Sequence, residues 1–287
     1  MIKALFLYHF LQNALLASFL ASIVCGIIGV IIVEKKLVMM SGGIAHTSYG
    51  GVGLGYLLGF EPIIGAFLFS ICAALGIGLI KQKSGKRSDV VIALFWSLGM
   101  ALGILFVALM PGYPPDITSY LFGNILSVTR MDIYLMSSLT LIVTLVIVLF
   151  YNDWKAYLFD EEFSSIIGIK TVFLEYLLLV LIAMTIVVLI RVVGIILVLA
   201  LLTAPAAIAS LFSSGLRGSM IYSVILGNIF CIIGLWISYT MNLASGASIV
   251  ILSAICYFLS YATHSIYDRV KRKRMGKRQD NLNLAYK

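Results

Sequence analysis

FLQNALLASFLASIVCGIIGVIIV, residues 10–33, runs for 24 residues without a charged side chain and stops at Glu34-Lys35-Lys36. As a helix it would rise about 36 Å, more than the ~30 Å of hydrocarbon in a bilayer. Comparable runs recur near 43–59, 62–80, 89–110, 131–151, 172–190, 194–213, 219–240 and 246–267. The ten-residue alternation of a membrane β-barrel is absent. The first run is too long for a signal peptide, and no small-residue cleavage site follows it. Composition agrees: 62% of residues are hydrophobic, 11% are charged and the mean hydropathy is +1.10. Soluble domains lie nearer half apolar and a quarter charged, and 287 residues folded in water would leave far too much apolar surface exposed. The expected fold is all-α, a polytopic transmembrane helical bundle. Residues 1–287 form one membrane domain, with 268–287 a basic cytoplasmic tail. The short 43–59 run and the Pro205-containing 194–213 run leave the count at eight or nine spans.

The net charge of +8 is distributed unevenly. Basic residues gather at 35–36, 81–87, 155–170, 217 and 269–287, and these segments hold 17 of the 20. With nine spans all of them fall on one side, leaving Lys3, Arg130 and Arg191 on the other. The positive-inside rule makes the crowded side cytoplasmic, so the C-terminus is inside and the N-terminus outside. The protein is therefore expected in the cell (inner or cytoplasmic) membrane. The tail suits anionic membrane lipid; no aromatic or groove-reading element accompanies it, so nucleic acid is not an expected partner.

Ionisable residues in lipid are costly and therefore informative. His46, in Ser41-Gly42-Gly43-Ile44-Ala45-His46, sits near the cytoplasmic start of the second run. A neutral imidazole ligates zinc and manganese, but one His does not make a site and a lone His more often has a hydrogen-bonded packing role; a symmetric dimer would bring a second copy. His264 and His9 lie at run ends, and Asn13 and Asn228 suit hydrogen bonds between helices. Cys25, Cys72, Cys231 and Cys256 stand singly in apolar runs, as small hydrophobes do. Gly50, Gly51, Gly53 and Gly55, with Gly99 and Gly103 in a G-x-x-x-G, allow close helix approach within the bundle or at a homodimer seam. There is no G-x-x-x-x-G-K-[ST] loop, no H-E-x-x-H and no G-x-S-x-G, so neither ATP hydrolysis nor a hydrolase site is expected in this chain.

Two loops carry pattern. Pro111, Pro114 and Pro115 break any helix in 111–130, and residues 120–126 suit a short interfacial helix on the outer side. In 152–171, Asp160 is placed to cap a short helix whose first turn holds Glu161 and Glu162. Phe163, Ile166 and Ile167 share a face at i, i+3, i+4, and Gly168 suits the C-terminal cap. The spacing predicts an amphipathic helix along the cytoplasmic surface.

Taken in order, these segments resemble the permease subunits of zinc- and manganese-type ABC importers. Residues 34–46 are similar to that family's segment ending G-D-x-x-S-H, and 90–103 to its glycine-containing fourth span. Residues 116–126 are similar to D-L-x-x-Y-L-F-G-D-I-L, and 159–169 to its F-D-x-E-x-A-x-x-x-G-I coupling helix. Residues 193–207 are similar to V-G-x-L-L-V-x-A-L-L-x-x-P-A-A, and 244–247 to P-S-G-A with Ala244 replacing the proline. The resemblance implies a permease of an ATP-driven divalent-metal importer, working by alternating access as a dimer. Cytoplasmic ABC ATPase subunits would grip the 159–169 helix through Asp160, Glu161, Glu162, Phe163, Ile166, Ile167 and Gly168, and an extracytoplasmic protein would deliver the ion. The metal is then cargo, not a resident cofactor. His46 carries over as a metal ligand, but the family's Asp four residues earlier is Gly42 here. Loss of that hard oxygen puts zinc ahead of manganese or iron. The alternative, a gradient-driven secondary transporter, calls for intramembrane carboxylates or broken helices, and the confident runs hold almost no acids.

Overall fold

The computed structural model describes residues 9–84, 88–112, 120–121, 123, 125–213 and 215–285. Pro114, Pro115, residues 116–119, Phe122, Asn124, Lys3, Lys86 and Arg87 lie outside the described residues. Every regular element among those described is helical. The long helices are α1 (His9–Glu34), α2 (Val38–Leu58), α3 (Pro62–Ser84), α4 (Ser88–Ala108), α5 (Arg130–Leu149), α8 (Thr171–Val193), α9 (Ile195–Phe212), α10 (Leu216–Met241) and α11 (Ser245–Ala285). Between α5 and α8 lie two short ones, α6 (Tyr151–Phe159) and α7 (Glu161–Ile166). In the segment predicted as an interfacial helix, the described residues Tyr120 and Leu121 are helical, and Ile125–Ser127 form a 3-10 turn.

Eight of the nine long helices are long and apolar enough to cross a membrane. The ninth, α2, has 21 residues and so spans about 30 Å, but it is diluted by six glycines and several hydroxyls. It begins at Val38, five residues before the predicted run, because Ser41, Gly42 and Gly43 are helical and buried. α2 can be polar because α3 and α4 shield it. It packs antiparallel to α3, with Gly51 against Gly65 and Gly55 against Pro62, and parallel to α4, with Gly43 against Ile92 and Gly53 against Gly103. A Cβ on Gly51 would fall on the Gly65 carbonyl, so here the two backbones touch. Gly99 and Gly103 meet Thr47 and Tyr49 of α2. The G-x-x-x-G is therefore spent inside the protomer and is not a homodimer seam.

α1 is the hub of the other helices, packed by α5, α9 and α10, and α11 lies against α9 and α10. Pro205 does not break α9, which continues to Phe212. α8 joins the two groups. At one end of the α3–α8 seam Lys81 bridges Glu175 at 2.6 Å; at the other Arg191 bridges Glu61 at 3.2 Å and Asp132 at 3.2 Å. Neighbouring helix ends divide the same way. Lys35, Lys81 and Arg217 lie at one end of the bundle with α6 and α7, while Arg191 and the start of α5 lie at the other. α11 extends beyond its apolar part, Ser245–Tyr267, so the basic tail continues as helix to Ala285.

Candidate functional site

His46 lies two turns into α2, half-buried against α4. Its ring stacks on Trp96, with centroids 4.0 Å apart and planes at 12°. Its Nδ1 is 3.4 Å from the Met100 sulfur. The neighbouring Thr47 donates to the carbonyls of Gly43 at 2.7 Å and Phe95 at 3.0 Å, which pins this turn of α2 to α4. A Cβ on Gly42 would stand 2.9 Å from Cζ3 of Trp96. The indole thus occupies the space a side chain at 42 would need. Within one protomer the donors are an imidazole and a thioether, a softer pair than imidazole and carboxylate. Among the described residues no three His, Cys, Asp or Glu side chains converge to hold a metal.

The α7 segment has the capping that was predicted. Asp160 accepts from the Phe163 amide at 3.0 Å. At the far end the Gly168 amide donates to Ser165 O and the Ile169 amide to Ser164 O, the pair of bonds that makes a Schellman stop. Gly168 holds φ +90°, a conformation that side chains resist. Between these stops Phe163, Ile166 and Ile167 are 56%, 80% and 54% exposed, and Phe159 beside them is barer still. Glu161 reaches back to Lys35 at 2.8 Å.

Lys35 is more than a surface charge. Its Nζ stands 3.4 Å above the ring of Tyr157, which is buried on α6. Burial pushes the Tyr157 phenol up, and the nearby Glu161 and Glu175 carboxylates push it the same way. The ring therefore stays a neutral seat for the ammonium. Lys35 occupies the corner between α1 and α2, where Lys36 takes φ 57°. The Lys36 amide donates to Val33 O and the Leu37 amide to Ile32 O, so this corner is a second Schellman stop.

Other polar positions meet expectation in part. Asn13 does bond away from its own helix, to Val128 O at 3.2 Å, but Asn228 bonds to Val224 O one turn back in α10. His264 makes an edge contact with Phe212, and His9 opens α1 at an exposed position. Cys25 and Cys231 are buried as expected, but Cys72 is exposed on α3. The buried carboxylates Asp132 and Glu175 were missed as partners. Their signal was charge inside or at the edge of an apolar run, and their cations come from 59 and 94 residues away in the chain.

Residues 7–264 match the ABC 3 transport family. An uncharacterized membrane protein of Synechocystis sp. is 42% identical over 89% of this chain and 91% of its own length. The manganese transport system membrane protein MntC of Listeria monocytogenes is 36% identical over 91% and 92%. Among solved structures, PsaBC from Streptococcus pneumoniae in complex with Fab superposes with a TM-score of 0.82. It is 34% identical and covers 91% of this chain and 94% of that one.

Proposed function

The chain belongs to the ABC 3 transport family, a multi-pass membrane permease family of metal ABC transporters, and from that membership we propose that it carries a divalent transition metal into the cell, paired with a second copy of itself. ATP is hydrolysed by a separate cytoplasmic subunit, and an extracytoplasmic binding protein delivers the ion. The observation that carries this reading is α7. It is a six-residue helix stopped at both ends, with its apolar side chains bare at the basic end of the bundle. A groove on a soluble ATPase would bury that face as other helix-in-groove interfaces do. The positive-inside rule supports the basic end being cytoplasmic, which puts α7 and the end of α11 on the ATPase side.

The ion is cargo. Transport alternates between outward- and inward-open states, with His46 as a ligand on the way. The relatives' names favour manganese; imidazole and thioether without a carboxylate favour zinc, and zinc is our first choice. A gradient-driven mechanism would need a carboxylate free to titrate in mid-membrane. The buried carboxylates Asp132 and Glu175 instead sit near helix ends, each held by a cation.

Two measurements test this reading. Phe163→Asp places a charge where the groove would be apolar, so it should lose the co-purifying ATPase and metal-stimulated ATP turnover in liposomes while still inserting. Wild-type association and turnover in the variant would remove α7 as the coupling element. His46→Ala should lower uptake of radioactive zinc with ATPase association intact. Unchanged zinc uptake, or inhibition by manganese but not by excess zinc, would overturn the assignment of ligand or ion respectively.

A further inference from the structure

The flank of the bundle opposite neither α2 nor α7 holds an open slot. α5 and α10 both pack on α1, but hardly on each other. Gly26 of α1 lies backbone to backbone with Val224, which draws α10 in close. α5 stands off, and the gap between α5 and α10 is a groove of about 480 Å³ floored by Ile27. Its walls are apolar, Ile147 and Val148 on one side and Ile221 and Ile225 on the other. At its mouth, at the basic end, Arg217 lies over the Tyr151 ring at 4.4 Å. Among the described residues no carboxylate pairs with Arg217.

These features point to one occupant. A groove opening sideways to the bilayer holds water poorly, because away from its mouth the lining side chains are apolar except Thr144, and a held water needs two to four polar partners. Hydrocarbon must fill it. At the depth of the lipid head groups it ends on an exposed guanidinium, the side chain best suited to a phosphate. Basic pockets between spans on the cytoplasmic side take anionic head groups for the same reason. We infer that the α5–α10 groove is a site for an acidic phospholipid, with an acyl chain along Ile27 and Val148 and the phosphate on Arg217. A second protein helix would fill the groove as well, but would leave Arg217 unmatched. The site is independent of the metal path and of α7.

Native mass spectrometry of the purified full-length chain tests this. The probes are palmitoyl-oleoyl phosphatidylglycerol, phosphatidylcholine with the same chains, and glycerol phosphate. The wild type should retain phosphatidylglycerol several-fold more than phosphatidylcholine and should not retain glycerol phosphate. Arg217→Gln should bring phosphatidylglycerol down to the phosphatidylcholine level, and Arg217→Lys should keep part of the preference. Thr144→Trp, which narrows the groove but leaves the cation, should lower retention of both lipids without lowering the melting temperature of the lipid-free protein. Equal retention of the two lipids by the wild type, or undiminished phosphatidylglycerol on Arg217→Gln, overturns the proposal. Retention of glycerol phosphate overturns it too, since the site would then bind phosphate without needing the groove.

Discussion

Lys35→Met tests whether motion of α7 reaches the helix that carries His46. Lys35 joins Glu161 of α7, Tyr157 of α6 and the α1–α2 corner. The corner is stiff, and α2 starts three residues later. Methionine keeps most of the stem and removes the charge. The Lys35–Glu161 pair is unequally exposed, with side-chain exposures of 14% and 49%, so solvent screening holds it to roughly 0.2–1 kcal/mol. The ammonium over Tyr157 adds about 0.5–1 kcal/mol. Together they amount to about 0.7–2 kcal/mol, a factor of roughly 3–30 in a two-state equilibrium. If the contact must hold for α7 to move α2, metal uptake per ATP hydrolysed should fall by about that factor. ATPase co-purification should be unchanged, because Phe163, Ile166 and Ile167 are untouched. Glu161→Gln should cost less, since only the ion pair is lost. The exchange Lys35→Glu with Glu161→Lys should recover the part due to that pair. The assay is zinc uptake and phosphate release measured on the same liposomes. A wild-type coupling ratio in Lys35→Met, or no recovery in the exchange, refutes the reasoning.

Three further outcomes are expected. Gly51→Ala puts a methyl group on the Gly65 carbonyl, and overpacking of this kind costs on the order of 1–3 kcal/mol; the detergent-solubilised protein should melt at lower temperature, whereas Gly215→Ala, with open space around it, should not. Gly168→Val meets no neighbour but must take φ +90°, at about 1–3 kcal/mol of strain, and should weaken ATPase association while insertion stays normal. Arg191→Met leaves the buried Asp132 carboxylate without its cation and should lower the melting temperature more than Glu61→Gln, whose carboxylate is exposed.

How much of this was legible in the chain depends on how far apart the partners are. α7 was readable almost residue by residue because its determinants are local: Asp160 caps three residues on, and Gly168 closes the helix five residues after Phe163. The long helices were legible for the same reason, since twenty apolar residues in a row need no partner to announce a span. The start of α2 was not. Ser41-Gly42-Gly43 has the composition of a loop, and only Trp96 and Ile92, about fifty residues away, make it a buried helical turn. Gly42 itself was visible as a missing carboxylate, but its replacement by an indole from α4 was not. The ion pairs at the two ends of the α3–α8 seam were also out of reach, because periodicity says which face of a helix is polar and not which helix will meet it.

Those two ion pairs bear on how the site could move. α2, α3 and α4 are joined by backbone contacts at Gly51, Gly53 and Gly99, with little side-chain cushion to yield between them. A displacement entering at the Lys35 corner therefore moves the three helices together more readily than it bends α2. Their principal attachment to the rest of the bundle is the α3–α8 seam, where Gly78 lies against Leu179 and Tyr176. That seam is fastened by Lys81–Glu175 at the α7 end and by Glu61–Arg191 at the other. The first pair has a buried carboxylate, while both partners of the second are exposed. Breaking a charge from a buried partner costs far more than parting an exposed pair, so the seam opens more easily at the Arg191 end. Rocking the trio about its α7 end would swing His46, held in the same rigid unit by Trp96 and Thr47, while the α7 contacts stay made. On the proposed function, the asymmetry of the two clamps would set the pivot close to where force from an ATPase enters, and leave the larger excursion for the opposite face, where an ion would be received.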